Sequence, residues 1–308
     1  VRRDGSTATA TARTAAGRRG SPGRWAGSLG RLWRDRLAVL GLLFVLVTVA
    51  AAILAPALAP ADPIKNRLLD RLTPPRWASG GSPAHLLGTD TLGRDVASRL
   101  LHGARVSLAV AFAAVVLSGL VGVALGLLAG YYRGRLDDLL MRLGDVQLAF
   151  PVLVLAIAVL AVLGASPGNV ILVLALTGWV TFARIVRGET LSLRHREFVE
   201  AARALGARDT SILARHIFPN VLPALVVVAT FSVARAVIAE ASLSFLGLGI
   251  PPPSPSWGAM LDEGRNYLTT GWWLALFPGL AILLLVLGIN LVGDWLRDAL
   301  DPRLERGM

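Results

Sequence analysis

Residues 37–58 read LAVLGLLFVLVTVAAAILAPAL, 22 consecutive residues without a charge. At 1.5 Å per residue a helix of this length reaches roughly 33 Å, enough to cross the roughly 30 Å hydrocarbon core of a bilayer. Working outward, five more apolar runs of comparable character follow, at about 107–131, 146–163, 170–186, 221–248 and 272–292. The fold class expected is an all-α integral membrane protein with six transmembrane helices. Composition agrees, since 54% hydrophobic and 17% charged residues leave too little charge to cover a soluble globule. The link Gly164 to Asn169 is short enough to make the third and fourth spans a tight hairpin.

The formal net charge of +11 gains its meaning from position. With the N-terminus inside, the inner segments hold nine, three, seven and three Lys or Arg residues, against six, none and one in the outer segments. Cytoplasmic loops carry such an excess, so both termini are expected in the cytoplasm. The boundaries that follow are a largely disordered basic tail over 1–36, the first span over 37–58, and an outer loop with an interfacial helix over 59–106. A five-helix core then covers 107–294, with a cytoplasmic loop at 188–220, and a cytoplasmic tail covers 295–308. Small residues from Ala55 to Ala61 also admit a signal-peptide reading of the first run, which would leave five spans.

Several chemistries are excluded. The chain has no Cys, hence no disulfide, thiolate metal site or Cys nucleophile. Lys65 is its single lysine and lies in no Gly-rich phosphate loop, so the chain binds no ATP in that manner. Few aromatics argue against a nucleic-acid partner. His85, His102, His195 and His216 are scattered, no Gly-x-Ser-x-Gly elbow occurs, and neither a metal ligand set nor a catalytic residue is assigned. An intramembrane enzyme would need paired carboxylates or a Ser/His set at membrane depth, and no such set is present.

The inner stretch between the fourth and fifth spans is the most informative. Phe198, Ala201, Ala202 and Leu205 fall at i, i+3, i+4 and i+7 and form one apolar stripe, with Glu197, Glu200 and Arg203 elsewhere on the wheel. Gly206 interrupts the helix, and a second helical piece from about Asp209 is expected to end at Pro219. The stripe needs a cover, which is the lipid surface, the underside of its own bundle, or another protein. In the second span, Gly122, Gly126 and Gly130 permit close helix approach, either within the chain or across a dimer seam. Arg235 and Glu240 lie in the fifth span, where each is a possible pathway or gate residue, or else a structural ion pair or an interface-seeking charge.

Four stretches carry a family resemblance. They are LGTDTLGRDVASRLLHGARVSL (87–108), FVEAARALGARDTSILARHIFPN (198–220), EASLSFLGLGIPPPSPSWG (240–258) and GDWLRDALDPRL (293–304). Together they resemble the inner-membrane permease subunits of bacterial ABC importers for dipeptides, oligopeptides and nickel. The second is similar to the EAA loop of those permeases, with Glu200, Ala201, Ala202, Gly206 and Pro219 in register; His216 and Phe218 depart from the general pattern where Ile and Leu stand. The resemblance implies a type I importer bundle in the bacterial inner membrane, with Phe198–Leu205 as a coupling helix, continued through Gly206, Asp209 and Pro219. It further implies a second homologous permease, one or two P-loop ATPases that bind ATP and Mg, and an outside solute-binding protein. The cargo implied is a peptide, with nickel or another small solute as the alternative. A membrane anchor recruiting a cytosolic partner other than an ATPase is the reading of a different class.

Overall fold

A computed structural model describes residues 35–300, and within them the chain is helical apart from turns and one isolated bridge, Thr89 to Asp95. The basic tail and the last eight residues, including part of the 293–304 motif, lie outside the described residues.

Helix α1 (Arg36–Leu58) starts where Asp35 accepts from the backbone N–H groups of Leu37 and Ala38, a cap that fixes the first turn of the opening apolar run. An irregular segment follows, with a single 3₁₀ turn at Leu68–Asp70. Its helical part is continuous with the next span rather than a separate interfacial helix, because Asp95 caps α2 (Val96–Tyr132) well before the apolar run begins. At 37 residues α2 is about 55 Å long and projects beyond any bilayer core.

The expected third span is broken. Helices α3 (Gly134–Leu148) and α4 (Val152–Leu163) meet at 87°. Pro151 has no N–H to give and disfavours helical backbone at Phe150, so the pattern turns there. Among the described residues five helices are long and apolar enough to cross a membrane, and the bent pair makes a sixth if counted as one span.

The hairpin closes as expected: Gly164 takes a positive φ, Ser166 caps α5 (Pro167–Leu193), and Asn169 Nδ2 donates to the carbonyls of Leu163 and Gly164 at 2.9 Å each. Beyond α6 (Glu197–Ala204), α7 runs over Asp209–Phe245. Two short features, α8 (Trp257–Gly264) and a 3₁₀ turn at Arg265–Tyr267, precede α9 (Trp273–Leu300).

The glycines of α2 lie within this chain's own bundle. A Cβ at Gly122 would stand 2.5 Å from the Trp179 carbonyl oxygen, at Gly126 2.6 Å from that of Ala183, and at Gly130 2.7 Å from Thr190 Cβ. Helices α2 and α5 therefore touch backbone to backbone along three turns. Helix α3 is strapped to α5 by an ion pair of buried Asp137 with Arg187, and by Gln147, which donates to the Thr177 carbonyl and accepts from Trp179 Nε1 at 2.8 Å.

Candidate coupling site and membrane pathway

Helix α6 is short and has two faces with different neighbours. Val199 is fully buried and joins Tyr131, Val186, Ile212, Ile217 and Val221 in one apolar cluster, with Ala202 packed against it. Phe198, Ala201 and Leu205 turn away from the bundle, Phe198 43% and Leu205 88% exposed. The stripe read from the sequence is thus divided: Ala202 faces home, while Phe198, Ala201 and Leu205 form an open apolar surface flanked by exposed Glu197 and Glu200. Val199, the anchor of the helix, was not singled out by the stripe. It sits one residue off the periodic set, and only its fit beneath α2 and α7 marks it.

Both ends of α6 are tied to the tip of α2. Arg194, in the link from α5, donates to the Tyr131 carbonyl at 2.8 Å. On the other side Tyr131 Oη donates to Asp209 Oδ1 at 2.6 Å, and Arg203 donates to the same hydroxyl at 3.3 Å while lying 5.8 Å from the Tyr131 ring centre. Between them Gly206 has φ +79°, a left-handed conformation that a side chain resists, and its N–H caps the carbonyl of Arg203. The glycine bend is where the sequence puts it. Tyr131 as the shared fastening was missed, since nothing in its own neighbourhood in the chain announces a contact some 70 residues away.

The expected end of the second helical piece at Pro219 gives way to a different solution. Residues Ile212–Ile217 form a π segment in which the Phe218 N–H reaches the Leu213 carbonyl, and α7 continues through exposed Pro219 to Phe245. The widened turn accommodates a proline at the start of the following α segment, where its missing N–H costs little. The chain consequently enters the bundle without a break from Asp209 onward.

Arg235 and Glu240 prove to be in unlike settings. Glu240 is completely buried and is held by hydroxyls rather than a cation: Ser107 Oγ donates to one carboxyl oxygen at 2.9 Å and Ser244 Oγ to the other at 2.8 Å. Ser107 in turn receives the Trp257 N–H, and Ser256, which caps α8, approaches Ser244 at 3.4 Å. Among the described residues no cation pairs with Glu240, and the ion-pair reading gives way to a polar knot joining α2, α7 and α8. Arg235 is exposed, donates to Ser232 Oγ at 2.8 Å, and lines a cavity of about 200 Å³ with Ser118, Thr177 and Thr181. It is the one charged side chain lining a cleft between α2, α5 and α7 whose walls are otherwise largely apolar, with Val115, Leu174 and Phe182 among them.

At the other end of the bundle the outer segment and α8 are clamped by charge. Arg94 and Arg99 both bridge Asp90 and Glu263, Arg94 at 2.6 and 3.0 Å, with Arg99 donating to Glu263 at 2.9 Å. Trp257 Nε1 donates to the Leu100 carbonyl and Trp273 Nε1 to that of Thr89, each at 3.0 Å. The first and third stretches on which the resemblance rests are therefore two halves of one cap. Apolar side chains remain on its surface, with Leu68, Leu69, Trp77 and Leu86 exposed.

Residues 122–306 match the family model described as binding-protein-dependent transport system inner membrane component. Residues 23–75 match the N-terminal TM domain of oligopeptide transport permease C. The chain is 46% identical to the di/tripeptide transport system permease protein DppC of Pseudomonas aeruginosa, covering 87% of this chain and 88% of that protein. It is 47% identical to the glutathione transport system permease protein GsiD of Pectobacterium atrosepticum, over 89% and 90% of the two chains. A solved structure of the MetNI methionine ABC transporter in inward-facing conformations shares the fold of the core, with TM-score 0.54 at 21% identity over 66% of this chain and 96% of that one. The helical bundle, the bent α6–α7 junction and these likenesses over nearly the whole length lead to one conclusion: the chain belongs to the binding-protein-dependent transport system inner membrane components, as a multi-pass permease of the dipeptide and oligopeptide ABC importer group.

Proposed function

We propose that this permease, paired with a second homologous permease, forms the path by which di- or oligopeptides enter the cell. An ATPase subunit that binds ATP and Mg²⁺ supplies the work at the exposed face of α6. The observation that carries this reading is the two-sided α6: Val199 and Ala202 lock it to the bundle, while Phe198, Ala201 and Leu205 stand open beside Glu200. A helix held on one face and bare on the other transmits a push from a partner to α5, α2 and α7 together. Coupling requires that each nucleotide state of the ATPase favour a different arrangement of the bundle. Tyr131, shared by Arg194, Arg203 and Asp209, carries the displacement into α2.

Peptide cargo is supported by the names of the relatives that match over most of their length. Arg235, beside the hydroxyls of Ser118, Thr177 and Thr181, is suited to attract a peptide carboxylate as it passes. A solute-binding protein is proposed to seat on the cap bearing Leu69 and Trp77, at the end opposite α6, which places α6 and both termini in the cytoplasm. Cells lacking the chain are expected to lose uptake of a radiolabelled dipeptide and to regain it with the wild-type gene. Unchanged dipeptide uptake in the deletion strain, with another solute lost instead, contradicts the cargo while leaving the permease role intact.

A further inference from the structure

A second groove lies between α1, α2, α7 and α9, apart from the Arg235 cleft, with a volume of about 630 Å³. Its walls are apolar, with Val49 and Ile53 on α1, Phe112 on α2, Val233 on α7 and Leu285 on α9. Two polar side chains reach it, Thr230 and Arg105. Thr230 is already spent, since its hydroxyl donates to the Val226 carbonyl. Arg105 is exposed, and among the described residues no carboxylate pairs with it.

Length and charge together indicate the occupant. Arg105, Leu108, Ala109 and Phe112 share one face of α2, so the groove descends about 10 Å from the guanidinium, and the α1 wall from Ile53 to Val45 covers about 12 Å. That is close to the depth of one leaflet, about half of a 30 Å hydrocarbon core. The guanidinium sits at the end of the bundle away from α6, where the headgroups of that leaflet would lie. Both flanks continue as exposed apolar surface, with Leu46 and Leu54 on α1 and Leu283 and Leu287 on α9, so the groove is continuous with an apolar face of the kind a bilayer covers. A peptide backbone would find no donors or acceptors along these walls.

We propose that this groove binds a phospholipid, with its phosphate on the Arg105 guanidinium and one acyl chain along Phe112 towards Leu285. The bound lipid would fill the space between α1 and the core helices.

The assembled complex, purified in detergent and titrated with palmitoyl-oleoyl phosphatidylglycerol, can be weighed intact by native mass spectrometry. Wild type is expected to retain one lipid more per permease than Arg105→Ala, with about tenfold weaker binding in the variant and retention preserved in Arg105→Lys. Ala109→Phe, which fills the groove and keeps the guanidinium, is expected to lose the same lipid; co-purification of all subunits shows that each variant is assembled. Equal retention in wild type and Arg105→Ala overturns the proposal. So does loss in Arg105→Ala with retention in Ala109→Phe, which would mean a headgroup contact without an acyl site. A Phe112→Cys variant that cross-links to the second permease in the intact complex would make the groove a protein seam and overturn it as well.

Discussion

Gly122, Gly126 and Gly130 on α2, and Gly206 after α6, are the same residue type in opposite surroundings. Each α2 glycine faces α5 so closely that a Cβ would collide with backbone or a β-carbon, whereas a Cβ on Gly206 would meet nothing within 4 Å. The first three serve close approach, and the fourth serves a positive φ. The difference separates what holds the permease together from what lets it be driven. The α2–α5 seam makes a rigid body, and on the proposed coupling role the Gly206 bend mounts a lever upon it.

The largest effect is expected where the seam is broken. Gly126→Val would push a branched side chain into the Ala183 carbonyl and Val186, at a cost of about 3 kcal/mol or more. The yield of folded chain in membranes should collapse, and a normal yield would show that the seam is looser than the geometry implies. Gly206→Val strains only its own backbone, by about 1–2 kcal/mol, so insertion should survive while transport is abolished. Uptake at the wild-type rate in that variant would remove the bend from the mechanism.

Between these extremes, the comparison sharpens at the open face. Glu200→Lys reverses a charge beside Phe198 and Leu205 without touching the Val199 cluster. Co-purification with the ATPase should fall about tenfold at unchanged thermal stability, as for a charge at a protein contact. A drop in stability with no change in co-purification would mean that Glu200 serves the bundle instead. The smallest effect is expected for Arg235→Ala, which leaves insertion and ATPase binding intact and lowers uptake of dipeptides several-fold by removing the cation of the cleft. Equal uptake would assign Arg235 to Ser232 alone.

Much of this architecture was legible in the chain because it rests on local rules. Span positions follow from apolar runs, the 164–166 turn from Gly and Ser, and the α6 bend from Gly206. Other features escape the apolar pattern or depend on residues distant in sequence. Pro151 interrupts an apolar run that periodicity reads as continuous, and the π segment at Ile212–Ile217 absorbs a proline that ordinarily marks an end. Val199, Tyr131 and the serines around Glu240 take their roles from α2, α7 and α8 meeting in space, which no spacing along one helix reveals. The resemblance pointed to the loop; only the folded chain separates the buried Val199 side of α6 from the exposed Phe198, Ala201 and Leu205.

Because the chain contains no cysteine, the free face can be probed one position at a time. The most direct measurement is site-directed cross-linking in native membranes with single Cys at Ala201, Leu205 or Val199, followed by mass spectrometry of the adducts. The account predicts adducts of Leu205→Cys and Ala201→Cys with a P-loop ATPase subunit, changing in yield between ATP-bound and nucleotide-free membranes, and none from buried Val199→Cys. Adducts of Leu205→Cys with lipid-directed reagents but never with an ATPase would contradict it.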